Sequence, residues 1–332
     1  MKPQVLILFG PTGSGKTVVL ERLFIHNPLC PAEIISADSM QVYRHMDIGT
    51  AKPSREDQGR IPHHLIDVRD PCEQFNAGEF VRLASEAAFM AASRNALPVV
   101  SGGAGFYLKN LVTGLPAAPP SDAVIRAALK EELRQKGALA LMEELAARDP
   151  VSAGRIHSND EYRLIRALEV LRQSGRPLSS FASNGAAPAG ELAAKPFNFL
   201  ILGLRRPREE LYSRINQRCA AMFQAGLPGE VRRLFELGYT PLDPGLRAIG
   251  YREFFIRDET EPRGWRLSED LPGVQALAAQ NSRRYAKRQI TFFASIPGIT
   301  WIDCGGDEAE TAEKIRQELK ALPGRGIAGQ SL

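Results

Sequence analysis

Apolar positions fall into two patterns that alternate through the first third of the chain. Val5-Leu6-Ile7-Leu8-Phe9, Ala32-Glu33-Ile34-Ile35-Ser36-Ala37, His63-His64-Leu65-Ile66-Asp67-Val68 and Leu97-Pro98-Val99-Val100-Ser101 are short runs of strand length. Such near-continuous runs suit strands buried on both faces. Between them lie helical periods: one from about Thr17 to Phe24, and one over Phe75 to Ser93 with Phe80, Leu83, Ala84, Ala87 and Ala88 on a face. Ser39 to Pro62 is polar and reads as a loop. Alternating strand and helix predicts a parallel α/β sheet flanked by helices.

The pattern changes at Leu115. Pro116-Ala117-Ala118-Pro119-Pro120 is a stiff connector, and helical periods then follow one another. Asp122 to Lys136 stops at Gly137, and Leu139 to Arg148 stops near Pro150. Ser158 to Ser174 stops at Gly175 and Pro177, with Ser158, Asn159 or Asp160 as N-cap. Ala182 to Pro196, rich in Ala, Gly and Pro, reads as a linker. Phe197 to Leu204 returns to strand character. Residues 117–196 are therefore expected as an inserted helical domain. The α/β core takes 1–116 and 197–323, with 324–332 a disordered tail. Later helices are expected from Pro207 to Ala225, Gly229 to Leu237 and Pro272 to Ser295, with a short strand Ile299 to Asp303.

The chain has 332 residues, 44% hydrophobic and 24% charged, as in ordinary soluble proteins. No run approaches the ~20 apolar residues of a membrane span. The first apolar run is too short for a signal peptide. Cys30, Cys72, Cys219 and Cys304 are scattered, so neither disulfides nor zinc are expected, and a reducing cytoplasm fits. A net charge of +4 permits a nucleic-acid partner without requiring one.

The first strand runs directly into Gly10-Pro11-Thr12-Gly13-Ser14-Gly15-Lys16-Thr17, and a helix follows. This is a P-loop in its proper context. Successive backbone N–H groups cradle phosphate, Lys16 adds a cation, and Thr17 offers its hydroxyl to a phosphate-held Mg²⁺. A second glycine-rich turn, Gly102-Gly103-Ala104-Gly105, and Asp38 fall at carboxyl ends of strands, the ligand edge of such sheets. Asp38 reads as a turn or cap, as a carboxylate accepting a proton from an attacking group, or as a Mg²⁺ ligand, with Asp67 and Asp303 competing for the metal. Arg214 and Arg218, one helical turn apart, are either a solvated face or a clamp on a departing diphosphate. Tyr162, Arg163 and Arg166, and again Arg247, Tyr251 and Arg252, are either plain surface or single-stranded RNA contacts. His63, His64 and His157 have no metal-ligand spacing and read as structural.

Longer strings carry a family resemblance. Ser36-Ala37-Asp38-Ser39-Met40-Gln41-Val42-Tyr43-Arg44, Met46-Asp47-Ile48-Gly49-Thr50-Ala51-Lys52-Pro53 and His63-His64-Leu65-Ile66-Asp67 resemble the bacterial tRNA dimethylallyltransferases. So do Gly102-Gly103-x-Gly105-x-Tyr107, Asn159-Asp160-x-x-Arg163-x-x-Arg166, Ala248-Ile249-Gly250-Tyr251-Arg252-Glu253 and Arg284-Tyr285-Ala286-Lys287-Arg288-Gln289. The matches run in order over residues 5 to about 293. The resemblance implies transfer of a dimethylallyl group from dimethylallyl diphosphate to N6 of adenosine 37 in tRNA. It implies Asp38 as the acceptor of the amine proton and Arg218 on the leaving diphosphate. The donor would be bound by Gly10, Pro11, Thr12, Gly13, Ser14, Gly15, Lys16, Thr17 and Arg214, with Mg²⁺ at Thr17. It implies anticodon stem-loop contacts at Asp38, Ser39, Met40 and Gln41, at Tyr162, Arg163, Leu164, Ile165 and Arg166, and at Arg247, Ala248, Ile249, Gly250, Tyr251 and Arg252. A cytoplasmic monomer is expected. Ala104 stands where the family usually has Thr. The alternatives are a P-loop phosphotransferase, against which stand the 36–53 run and the inserted helical segment, an adenylate isopentenyltransferase, against which stand the length and the arginine-bearing insertion, and an RNA-binding scaffold, against which stand intact Lys16, Thr17 and Asp38.

Overall fold

The structure, a computed structural model, describes residues 2–26, 28–115, 117–181 and 196–321. It divides into two compact units, Met1–Thr113 with Pro196–Leu332, and Gly114–Lys195. The expected linker and the C-terminal tail fall outside the described residues, apart from Pro196.

The strands of the first unit are β1 (Gln4–Phe9), β2 (Ala32–Ala37), β3 (His63–His64), β4 (Leu97–Gly102), β5 (Asn198–Arg205), β6 (Phe255–Arg257), β7 (Trp265–Leu267) and β8 (Ile299–Asp303). Six form a sheet in the order β3-β2-β4-β1-β5-β8, with every pairing parallel. β6 and β7 make a separate antiparallel hairpin. The period-two geometry of a strand sorts β1 between two cores. Val5, Ile7 and Phe9 face one cluster, and Leu6 and Leu8 face the other. Helices cover both faces: α1 (Lys16–Glu21), α2 (Arg55–Arg60), α3 (Ala77–Ser93) and α4 (Gly105–Thr113) precede the second unit. That unit holds α5 (Ala123–Arg148), α6 (Pro150–Ala153) and α7 (Glu161–Ser174). α8 (Arg208–Gln224), α9 (Leu227–Glu236), α10 (Leu271–Phe293) and α11 (Glu308–Lys320) follow. Phe80 of α3, Leu108 of α4 and Phe293 of α10 share the cluster of Phe9, the Phe293 ring 4.6 Å from it, and Val19 of α1 and Ile315 of α11 share the cluster of Leu8.

Several expectations are corrected. The third strand stops after two residues. Leu65 and Asp67 take φ of 63° and 55°, which no strand accommodates. The chain there pairs instead with the segment before it, through Asp67 N–H to Gln41 O at 3.2 Å and Arg69 N–H to Val42 O at 2.9 Å. The first helix leaves α geometry at Arg22 and continues as a π turn over Arg22–His26. The expected loop contains α2, started by a Ser54/Asp57 capping box. α11 and the β6–β7 hairpin lie outside the expected elements, since one is highly charged and the other has three-residue strands.

In the second unit Gly137, at φ 80°, kinks α5 where the helical period breaks. Asp160 is the N-cap of α7, its side chain accepting from the Arg163 amide. Leu164 and Ile165, expected among the tRNA contacts, are core residues packed with Leu129, Leu141, Leu145 and Leu168. Their side chains support α7 and are not offered to a ligand.

Candidate active site

The carboxyl ends of β1, β2 and β4 open into a cleft of about 590 Å³. The loop after β1 is closed by Ser14 N–H to Pro11 O at 3.1 Å. Gly13 and Gly15 sit at φ 81° and 96°, where other residues are strained. Lys16 Nζ folds over the loop, donating to Gly10 O at 2.8 Å and Pro11 O at 3.1 Å. Burial and, next, the Arg218 charge lower its pKa to about 8, against an opposing pull from Asp38. Thr17 is exposed and lines the cleft. Gly10, Pro11 and Ser14 lie behind the lining: Pro11 and Ser14 are buried, and the Ser14 hydroxyl has no hydrogen-bond partner.

Three side chains fasten this loop from afar. Gln289 of α10 accepts from the Thr12 amide at 3.0 Å and donates to Gly103 O at 2.8 Å, tying the two glycine turns together. Arg214 donates to Gly13 O at 3.0 Å and pairs with Glu308 of α11 at 2.9 Å. Arg214 thus braces the loop, its charge already shared with a carboxylate. Arg206, buried, donates to Ser14 O at 3.4 Å and pairs with Glu210.

Of the three readings of Asp38, the geometry fits the turn and leaves its carboxylate in the cleft. Its Oδ1 accepts from the Met40 amide at 2.8 Å and more weakly from Gln41 at 3.4 Å, which makes a turn. It also lines the cleft, in electrostatic reach of Lys16, Arg218 and Tyr285. Arg218 opens onto the cleft yet is flanked by protein, and this desolvation lowers its pKa while Asp38 raises it. Burial and then Asp38 push the Tyr285 phenol up to about 12. Asp67 and Asp303 do not join this group. Asp67 pairs with Lys52 at 2.6 Å, Asp303 with Arg205 at 2.7 Å, and neither lines the cleft. No cluster of three or more metal-ligating His, Cys, Asp or Glu occurs among the described residues.

The opposite wall comes from Ser39, Met40 and Gln41 and from Arg247, Ala248, Ile249, Gly250 and Arg252. Gln41 accepts from Ser36 Oγ at 2.8 Å and donates to Thr50 O at 3.3 Å and Ala51 O at 3.2 Å. Tyr251, expected to meet RNA, is fully buried, and its hydroxyl donates to Glu230 at 2.6 Å. It braces the wall and cannot stack on a base. In the second unit Tyr162 is exposed beneath Arg126, and Arg163 is exposed with an Asp160 partner. Arg166 points inward to Glu169 at 2.8 Å and Pro119 O at 2.5 Å. Sequence reasoning missed Glu230, Gln289, Tyr285 and Glu308 as site-building residues. Tyr285 and Gln289 fall inside the Arg284–Gln289 string of the resemblance, which gives them no role there, while Glu230 and Glu308 are single polar positions with no local signal.

A sequence model of the IPP transferase family matches residues 41–295. The tRNA dimethylallyltransferase of Geobacter sulfurreducens is 41% identical over 304 residues, 91% of this chain and 92% of that protein. The tRNA dimethylallyltransferase of Methylibium petroleiphilum is 43% identical over 306 residues, 92% of this chain and 90% of that protein. The crystal structure of the full-length tRNA isopentenylpyrophosphate transferase from Bacillus halodurans matches with a TM-score of 0.63 at 32% identity, covering 96% of both chains.

Proposed function

The chain belongs to the IPP transferase family, and on that premise we propose that it transfers a dimethylallyl group from dimethylallyl diphosphate to N6 of adenosine 37 in tRNA, releasing diphosphate. One observation carries this reading: a carboxylate, Asp38, shares a cleft with the phosphate-type loop and the cations Lys16 and Arg218.

The loop amides and Lys16 hold the donor diphosphate. The exocyclic amine of adenine is a weak nucleophile because its lone pair is delocalised into the ring. Asp38 accepts its N–H hydrogen bond and then its proton as the C–N bond forms at the allylic carbon and the C–O bond to diphosphate breaks. The electron pair of that C–O bond leaves on the diphosphate, where Lys16 and Arg218 stabilise the growing charge. The adenine reaches the cleft only if it leaves the anticodon-loop stack. Exposed Tyr162 and Arg163 suit the tRNA, one as a stacking face and one as a phosphate contact.

The donor set at Thr17, one exposed hydroxyl oxygen and no carboxylate cluster, fits Mg²⁺, which takes few protein ligands and completes its shell with phosphate oxygens and water. When bound there, Mg²⁺ neutralises diphosphate charge. A cytoplasmic monomer completes the proposal. No described helix is long and apolar enough to cross a membrane.

Incubating unmodified tRNA with labelled dimethylallyl diphosphate or with γ-labelled ATP tests the reaction. Label should enter tRNA from the isoprenoid donor only; incorporation from ATP alone would sink the proposal in favour of a phosphotransferase.

A further inference from the structure

The wall of the cleft opposite the phosphate loop is held by a group that never reaches the cleft. Glu230 of α9 is 2% exposed, and its carboxylate accepts four hydrogen bonds. Oε2 takes the amides of Asp47 and Ile48 at 2.9 and 2.8 Å. Oε1 takes the Gly49 amide at 3.2 Å and the Tyr251 hydroxyl at 2.6 Å. Two segments distant in sequence thus meet at one carboxylate. The Tyr251 ring lies against Gly49 so closely that a Cβ at Gly49 would overlap it. Burial and the Glu230 charge hold the Tyr251 phenol far above its ordinary pKa, so it remains a donor.

Both segments lead into the cleft. Thr50 and Ala51, next to the bound amides, offer the carbonyls that hold Gln41 at 3.3 and 3.2 Å. Gln41 sits three residues after Asp38. Arg247 to Gly250, just before Tyr251, line the same wall. That turn is tied a second time, by the Gly250 amide to Glu253 at 2.7 Å and by Asn281 of α10 to Glu253 at 2.8 Å. We propose that Glu230 is a positioning residue for the acceptor. Its buried carboxylate sets the spacing between the 38–51 loop and the 247–252 turn, and with it the width of the slot that receives the acceptor base. This rests on the acceptor reading given above. Glu230 takes no part in holding the donor diphosphate, whose loop is braced by Gln289 and Arg214.

Glu230→Gln replaces one acceptor oxygen with an NH₂. With the NH₂ at the Oε2 position the Asp47 and Ile48 amides both face a donor; at the Oε1 position the Gly49 amide does, and the Tyr251 hydroxyl must turn to accept. The measurements are steady-state transfer to tRNA and calorimetric binding of inorganic diphosphate. The expected result is a drop of about 100-fold in kcat/KM for tRNA, a loss typical of displaced positioning groups. Diphosphate affinity should stay within about twofold of wild type, since no bond to the loop is touched. Gly49→Ala should reproduce this split by pushing on the Tyr251 ring. The double variant should be little worse than either single change, because both act through one contact. Tyr251→Phe keeps the ring, deletes one donor, and should cost about tenfold with normal folding. A tRNA kcat/KM unchanged in all three variants, an equal loss of diphosphate binding, or additive effects of Glu230→Gln and Gly49→Ala would each overturn the assignment. Wild-type protein that transfers nothing to tRNA would overturn the reaction instead. The lock is then read by hydrogen exchange: faster exchange at the Asp47, Ile48 and Gly49 amides in Glu230→Gln supports it, and unchanged exchange refutes it.

Discussion

The two walls of the cleft differ in how far apart in sequence their ligand-facing groups lie. The ligand-facing groups of the phosphate wall are local, although Gln289, Arg214 and Arg206 brace its loop from elsewhere in the chain. Its turn closes between Pro11 and Ser14, its strained positions are filled by Gly13 and Gly15, and Lys16 reaches back to Gly10 O. Eight consecutive residues, Gly10 to Thr17, carry the whole phosphate-loop pattern. The acceptor wall is assembled from a distance. Asp47 and Glu230 are 183 residues apart, yet their contact decides where Gln41 and Arg247 to Gly250 stand. A generic ligand feature needs only backbone amides, which any sequence with the right glycines supplies. Shaping a slot for one acceptor needs side chains fixed from outside by buried charge.

Substitutions should separate the walls. The largest effect is expected at Asp38, where the acceptor wall meets the chemistry. Asp38→Ala should lower single-turnover transfer about 10³-fold, the scale of a lost general base. Diphosphate and tRNA affinities should change little; parallel losses of binding would make Asp38 a turn residue only. Next, Lys16→Ala should weaken inorganic diphosphate binding and cut kcat/KM for the donor about 10²-fold, as for one oxyanion donor. Filter binding of tRNA should not respond, and a matched loss there would merge the two walls into one.

A smaller effect is expected with pH. Lys16 has a lowered pKa of about 8 in the free protein. A bound anion raises it, so binding takes up a proton once pH exceeds that value. Diphosphate affinity should therefore be level just below pH 8 and fall up to about tenfold per pH unit above it. Calorimetry on Lys16→Met should show that slope flattened. The smallest effect belongs to the inserted unit. Arg163→Ala should reduce the slope of log K for tRNA against log salt by about 1, with transfer from saturated complex unaltered. An unchanged slope would remove Arg163 from the phosphate contacts.

Legibility followed the same division. The runs at Val5 to Phe9 and Leu97 to Ser101 are strands because unbroken apolar runs suit only a doubly covered sheet. The run at His63 to Val68 looked alike but ends after His64. The segment 41–44 captures its backbone, and nothing in 63–68 discloses that competitor. Arg166 and Tyr251 matched RNA-binding patterns, yet each turns inward to a buried glutamate, Glu169 and Glu230. Arg163, three residues before Arg166 on the same helix, stays exposed. Composition is identical in the two cases, and only the partner differs.

From its residues alone, this chain determined a parallel sheet with cores on both faces, a helical interruption and a P-loop pattern directly after the first strand. All of these depend on spacing within a few turns of backbone. Tertiary structure decided which polar groups are buried, and hence which arginines and tyrosines remain available to a ligand. The physical reason is that a buried carboxylate must collect donors from wherever the fold brings them, and that partnership has no period along the chain.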